Sequence, residues 1–97
     1  MPRTRRSGAL DILRREAENA AFYRYHDLGA WHSGSEWRPY EVESAECKRC
    51  GAYVQIDVRP PPNGIDVGGT AVAVNCEESP RYRKLLLTLR KALRERQ

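Results

Sequence analysis

Two thiols separated by two residues and followed by glycine, Cys47-Lys48-Arg49-Cys50-Gly51, constrain this chain more than any other feature. That spacing lets both sulfurs reach one tetrahedral ion at about 2.3 Å. Gly51 can take the positive φ that closes such a turn and aims backbone N–H groups at the sulfurs. A third cysteine, Cys76, and one of the two histidines, His26 or His32, would complete four ligands. The sequence therefore points to a small domain built around a metal ion, with zinc as the expected occupant.

The length supports that reading. Ninety-seven residues make one small domain with a modest core, and scaffolds of this size commonly depend on a metal or on disulfides. Three cysteines cannot pair off, which argues against a disulfide framework. A redox dithiol normally opens a helix after a strand, whereas Cys47 and Cys50 lie between two β-like segments. No apolar signal region follows Met1 and no run approaches membrane-spanning length, so a cytoplasmic protein with reduced cysteines and no membrane partner is expected.

Charge is strongly partitioned. Residues 1–25 carry six Arg against three acidic residues, and residues 79–97 carry seven basic residues against Glu95 alone. Between them, residues 26–78 hold four basic residues against nine acidic ones. The cysteine-bearing centre is thus acidic and both ends are basic, so a polyanion would meet the ends first.

Periodicity divides the chain into helix, β unit and helix, an α+β arrangement. Residues 1–6 read as a disordered basic arm and residues 7–97 as one zinc-ribbon-like domain. Ser7 is placed to cap a first helix over 9–25, in which Leu10, Leu13, Ala17 and Ala20 or Ala21 share a face, with Asp11 in the first turn. Residues 27–35 have turn chemistry. The β unit spans 36–76: a strand over 37–46 interrupted by Pro39, an alternating strand over 52–59, and a stop at Pro60-Pro61-Pro62-Asn63-Gly64. A short strand over 65–67 and a last strand over 70–75 then deliver Cys76. Ser79-Pro80 is a helix start, a capping hydroxyl followed by proline at the first helical position, and opens a helix over 80–96. Leu85, Leu86, Leu89 and Leu93 form its apolar stripe, extended by Tyr82; the sequence leaves open whether this helix packs on the β unit, with Leu85, Leu89 and Leu93 in the core, or projects from it.

Spacing alone leaves the histidine open. His26 would pin the end of the first helix to the β unit, and His32 follows Trp31 in a loop. The pattern His26-Asp27-Leu28, Trp31, Ala45-Glu46-Cys47, Cys50-Gly51, Pro61-Pro62-Asn63-Gly64-Ile65-Asp66, Gly68-Gly69-Thr70-Ala71 and Asn75-Cys76 resembles a group of short bacterial and phage-associated zinc-ribbon-like proteins. The likeness covers about half of the chain and leaves out both terminal helices. It implies that His26, Cys47, Cys50 and Cys76 are the metal ligands, and it brings no established activity.

Four protein ligands leave zinc no open position, which marks a structural rather than a catalytic ion. Three thiolates, a neutral imidazole and Zn²⁺ carry a local charge of about −1, which Lys48 and Arg49 would partly offset. No nucleophile elbow, phosphate-cradling loop or histidine-rich metallohydrolase motif is present, and Glu41, Glu43, Asp57 and Asp66 read as exposed strand residues. The chain is therefore expected not to be an enzyme. Its leading expected role is nucleic-acid binding through the basic ends and the knuckle: Arg3, Arg5, Arg6, Lys48, Arg49, Arg83, Lys84, Arg90, Lys91 and Arg94. Trp31, Trp37, Tyr40 and Tyr53 would add stacking surfaces if exposed. The alternative is a protein-binding adaptor, or a phage-type inhibitor of a host enzyme, that uses its acidic centre or the 85–93 helix. The sequence does not specify an oligomeric state.

Overall fold

A computed structural model of the chain describes residues 2–34, 36–38, 40–62 and 64–96, with side chains from residue 8 onward. Two helices flank a four-stranded antiparallel sheet. Helix α1 is Pro2–Tyr23, strands β1 to β4 are His32–Ser33, Val42–Glu46, Tyr53–Asp57 and Val67–Gly68, and helix α2 is Pro80–Glu95. The strands lie in chain order, β1-β2-β3-β4.

Helix α1 starts at Pro2, so residues 2–6, expected as a disordered arm, are helical. Proline is tolerated at a first helical position and arginine is a good helix former, so the costs at Ser7 and Gly8 are not enough to stop the helix. Ser7 is consequently interior rather than a cap. Asp11 also lies beyond the first turn, where it pairs with Arg14 at 3.0 Å. The expected apolar face is the one buried: Leu10, Leu13, Ala17 and Ala21 pack on Ala45, Val54, Ile56 and Ala71. The small alanines let the helix approach the sheet closely. Arg14 then forks onto Glu43 of β2 through Nε and Nη2, at 2.6 and 2.7 Å, and locks α1 to the sheet.

Strand β3 alternates as its sequence requires, with Val54 and Ile56 buried and Tyr53 and Gln55 exposed. β2 pairs with it from Val42↔Asp57 to Glu46↔Tyr53. β1 arises where irregular chain was expected, because the 32–33 segment lies along the open edge of β2 and pairs with Ser44 and Glu43. β2 is shorter than the expected 37–46 strand, and Pro39 and Asn63 lie outside the described residues. β4 takes Val67–Gly68, one residue later than the centre of the expected 65–67 strand.

The expected last strand over 70–75 is instead a 3₁₀ turn over Thr70–Val72. Gly69, at φ 118°, turns the chain against β3, where an added Cβ would lie 2.5 Å from the Tyr53 carbonyl oxygen. The Thr70 hydroxyl then accepts the Tyr53 N–H at 3.1 Å, so a side chain satisfies a donor that a fifth strand would have taken. Ala71 is fully buried beneath this turn.

Glu41 and Asp57, expected on the surface, are buried within an ion-pair cluster. Arg38 donates to Glu41 at 2.7 Å and grips both Asp57 oxygens at 2.9 and 2.6 Å, while Arg59 pairs with Glu41. The Arg38 hydrogen bond, then Arg59, hold Glu41 below its ordinary 4.5 against the effect of burial. Burial pushes Asp57 up, but Arg38 and the Arg59 N–H more than offset it and leave Asp57 below 3.8. Lowered folded-state values stabilise the fold fully above the unfolded ones, and that contribution is lost as pH falls through the folded values.

Helix α2 behaves differently from the rest. The Ser79 hydroxyl accepts the Tyr82 N–H at 3.4 Å and Pro80 opens the helix, as the sequence requires. Beyond that anchorage no residue of α2 is buried, so of the two arrangements the sequence leaves open the helix projects, with Leu85, Leu89 and Leu93 outside the core. The core is already closed by α1, leaving no apolar face of the sheet for α2 to cover. The molecule measures 60 × 26 × 23 Å, with a radius of gyration of 16.7 Å. A compact domain of this length would have about 13 Å.

Gly69→Ala is expected to lower unfolding stability by about 2 kcal/mol, from backbone strain and the clash with Tyr53. Gly8→Ala, in helix with no neighbouring atom within 4 Å of the added methyl, is expected to raise it by up to about 1 kcal/mol. Urea unfolding of metal-loaded protein checks both signs.

Candidate metal centre

His26 reaches the centre through the way α1 ends. The Tyr25 N–H bonds to the Phe22 carbonyl at 2.9 Å and the His26 N–H to the Ala21 carbonyl at 2.9 Å. With Tyr25 at φ 69°, this is a Schellman ending whose left-handed residue is not glycine. That conformation costs a non-glycine residue about 1 kcal/mol, and the Tyr25 ring offsets some of it by packing on Tyr82 at 5.0 Å between centroids. The ending turns His26 back beneath the helix, where it is buried.

Cys47 and Cys50 come from the turn joining β2 to β3. The Gly51 N–H bonds to the Cys47 carbonyl at 3.0 Å, the Cys47 N–H bonds to the Ala52 carbonyl at 2.7 Å, and Gly51 has the anticipated positive φ, 77°. A Cβ on Gly51 would meet open space, so glycine is needed there for its backbone angle and not for room. Cys76 follows the 3₁₀ turn. Its N–H donates to the Arg24 carbonyl at 2.8 Å, tying the segment to the end of α1.

Four donor atoms from three separate stretches, on His26, Cys47, Cys50 and Cys76, lie within 4.8 Å of one another. The Cys47 and Cys76 sulfurs are 3.8 Å apart, and His26 Nδ1 is 3.4 Å from the Cys50 sulfur. A tetrahedral ion with metal–sulfur bonds of about 2.3 Å and metal–nitrogen bonds of about 2.0 Å requires S···S near 3.8 Å and S···N near 3.5 Å. The side chains are therefore already spaced to hold a metal. His26 Nε2 is 2.7 Å from the Val74 carbonyl oxygen, which places the imidazole proton on Nε2 and leaves the Nδ1 lone pair facing the sulfurs.

Burial raises the Cys47 thiol, but the N–H groups of Asp27, Cys50 and Arg49 more than offset it and bring it to about 6. Burial, reinforced by the Cys47 and Cys76 sulfurs, pushes Cys50 up to about 11 against the Ala52 N–H. One thiolate is accommodated and a second is opposed by the first. A cation relieves that opposition and allows all three sulfurs to ionise. Cys47 and Cys76 are buried, whereas Cys50 is exposed at a groove of about 750 Å³ shared with Arg49, Glu77 and Glu78.

His32 is not among the donors. It sits on β1, exposed, with Nε2 3.2 Å from the Ser44 hydroxyl. The expected nucleic-acid residues separate into groups. Arg49 is committed to the Tyr25 carbonyl at 2.9 Å and lies 3.8 Å from Asp27. Arg83 is held by the Glu77 carbonyl and the Glu78 carboxylate. Lys48, Lys84, Arg90, Lys91 and Arg94 are exposed. The Arg3, Arg5 and Arg6 side chains lie outside the described ones. Among the aromatics, Trp31 packs on the core and donates to Glu18, while Trp37, Tyr40 and Tyr53 are exposed. Two partners of the centre were invisible to sequence reasoning: the Val74 carbonyl, which carries no side-chain signal, and Tyr25, whose left-handed backbone is usually advertised by glycine.

Comparison with protein-family models, with curated proteins and with solved structures returns no match. No helix among the described residues is long and apolar enough to cross a membrane.

His26→Ala and Cys76→Ser are each expected to weaken binding of a divalent probe such as Co²⁺ by more than about a hundredfold, since even the partners of ligands are worth about 10–100-fold. His32→Ala should leave it unchanged. Competition against a chromophoric chelator reads all three. Equal losses in His26→Ala and His32→Ala would contradict the donor set.

Proposed function

We propose that this chain is a small zinc-built binding module without catalytic chemistry, which docks another protein through α2. Zinc suits a donor set of three thiolates and one imidazole in tetrahedral spacing, and four protein ligands leave it no position for water or substrate. The resemblance carried by His26, the Cys47–Cys50 pair and Asn75-Cys76 supports the same ion.

The observation that carries the docking role is the exposure of α2. Leu85, Leu89 and Leu93 are 38%, 49% and 60% accessible and lie together on one face of the helix. A stripe at i, i+4 and i+8 is the face by which an amphipathic helix enters a protein groove. Phosphates have no use for it. Nucleic-acid binding is retained as a second reading because Lys84, Arg90, Lys91 and Arg94 are exposed away from that stripe, and no side chain among the described residues pairs with them.

The two readings differ in their response to salt and nuclease. The expected result is weak binding to a DNA or RNA duplex, lost between about 50 and 200 mM salt, together with a protein complex that survives nuclease. Tight nucleic-acid binding that is unchanged by Leu89→Ser and abolished by Arg90→Glu would establish the second reading instead.

A further inference from the structure

We infer that α2 is shaped for an acidic-rimmed apolar groove on a partner protein that encloses the helix, an inference that rests on the protein-docking reading above. Three observations carry it. The first is that α2 is presented already formed. Its Ser79 cap is buried, Tyr82 packs on Tyr25, and the Arg81 guanidinium lies 4.9 Å from the Phe22 ring centroid and 5.4 Å from that of Tyr25. A helix fixed before binding loses little further entropy on docking.

The second is charge. Residues 79–97 carry seven basic residues and one acidic one, so the complementary surface is negative. The same count disfavours a second copy of the chain, which would bring two such helices together with almost no acids to pair. Sixteen residues also give only about two heptads, too short a seam to approach the roughly 1,200 Å² of a stable interface.

The third is the placement of Leu87. It is 64% exposed and lies on the basic side of the helix, roughly opposite Leu89, with Arg83, Arg90 and Arg94 as its neighbours at helical spacing. With Leu86, Arg83 and Arg90 it lines a concavity of about 540 Å³ closed by Glu77 and Glu78. Exposed leucine therefore occurs on both sides of α2. A bilayer takes one side of a helix only and would leave Leu87 in water, and nucleic acid would leave every leucine there. A protein groove with walls covers both sides.

Calmodulin serves as a probe for such a surface, because calcium opens its Met-rich apolar grooves while the protein is acidic in both states. The full chain, loaded with zinc, is titrated against calcium-loaded and calcium-free calmodulin in 150 mM salt. The expected result is binding at least about a hundredfold tighter to the calcium-loaded form. Leu89→Ser with Leu93→Ser should remove at least about a hundredfold of that affinity, and Leu87→Ser alone several-fold. These leucines are exposed, so the variants should keep their metal affinity and helix content, which is measured in parallel.

Equal binding to both forms, absence of binding to the calcium-loaded form, or indifference to the leucine substitutions overturns the inference. So does leucine-dependent partition onto phosphatidylglycerol vesicles that exceeds calmodulin binding, or a leucine-dependent dimer in sedimentation. A nuclease-resistant protein complex that is lost in the Leu89→Ser, Leu93→Ser variant, with no calmodulin binding, overturns the enclosing groove and leaves docking through α2 standing, whereas a complex that persists in that variant overturns docking through α2 as well. Calmodulin binding lost together with any such complex removes both.

Discussion

Three sulfurs and one imidazole nitrogen crowded within 4.8 Å are the arrangement on which the rest of the molecule depends. Without a cation such a cluster is unfavourable, because burial and then the neighbouring sulfurs oppose ionisation of Cys50 once Cys47 is a thiolate. With a cation the same crowding becomes attraction. For structural zinc in small peptides the binding term is about 10 kcal/mol or more, comparable to the whole net stability of a typical domain. The apolar core is built from two leucines, small alanines and two β-branched residues at its centre, which is little for a chain of 97 residues. A metal held by the end of α1, the β2–β3 turn and the segment before α2 would supply what that core lacks.

The same cluster lies where α2 leaves the body of the molecule. Only Glu77 and Glu78 separate Cys76 from the Ser79 cap, and the Ser79 N–H bonds back to the Cys76 carbonyl at 3.2 Å. The helix therefore leaves directly from a metal ligand. On the other side, Tyr25, adjacent to His26, provides the ring that receives Tyr82 and Arg81. Metal binding, the Schellman ending of α1 and the direction of α2 are thus parts of one local structure. On the proposed reading, an ion held there would act through geometry, by fixing the direction in which α2 leaves the body.

Much of this was legible in the residues. The Cys-x-x-Cys-Gly turn, the Ser79-Pro80 helix start, the face formed by Leu10, Leu13 and Ala17, and the alternation of β3 each depend on local physics that neighbouring residues announce. What escaped was decided at a distance. The 3₁₀ turn over Thr70–Val72 replaces a strand because a threonine hydroxyl on one segment satisfies an N–H on another. Glu41 and Asp57 are buried because Arg38 reaches across to grip them, which no pattern of alternation reveals. A leucine stripe states that a helix is amphipathic but not what covers it. Here the body of the protein leaves it uncovered.

X-ray absorption at the zinc edge on protein purified without added metal tests the central claim most directly. The account expects a single zinc per chain with about three sulfurs near 2.3 Å and one nitrogen near 2.0 Å. A folded protein containing no zinc, or a shell dominated by oxygen with fewer than three sulfurs, would contradict it.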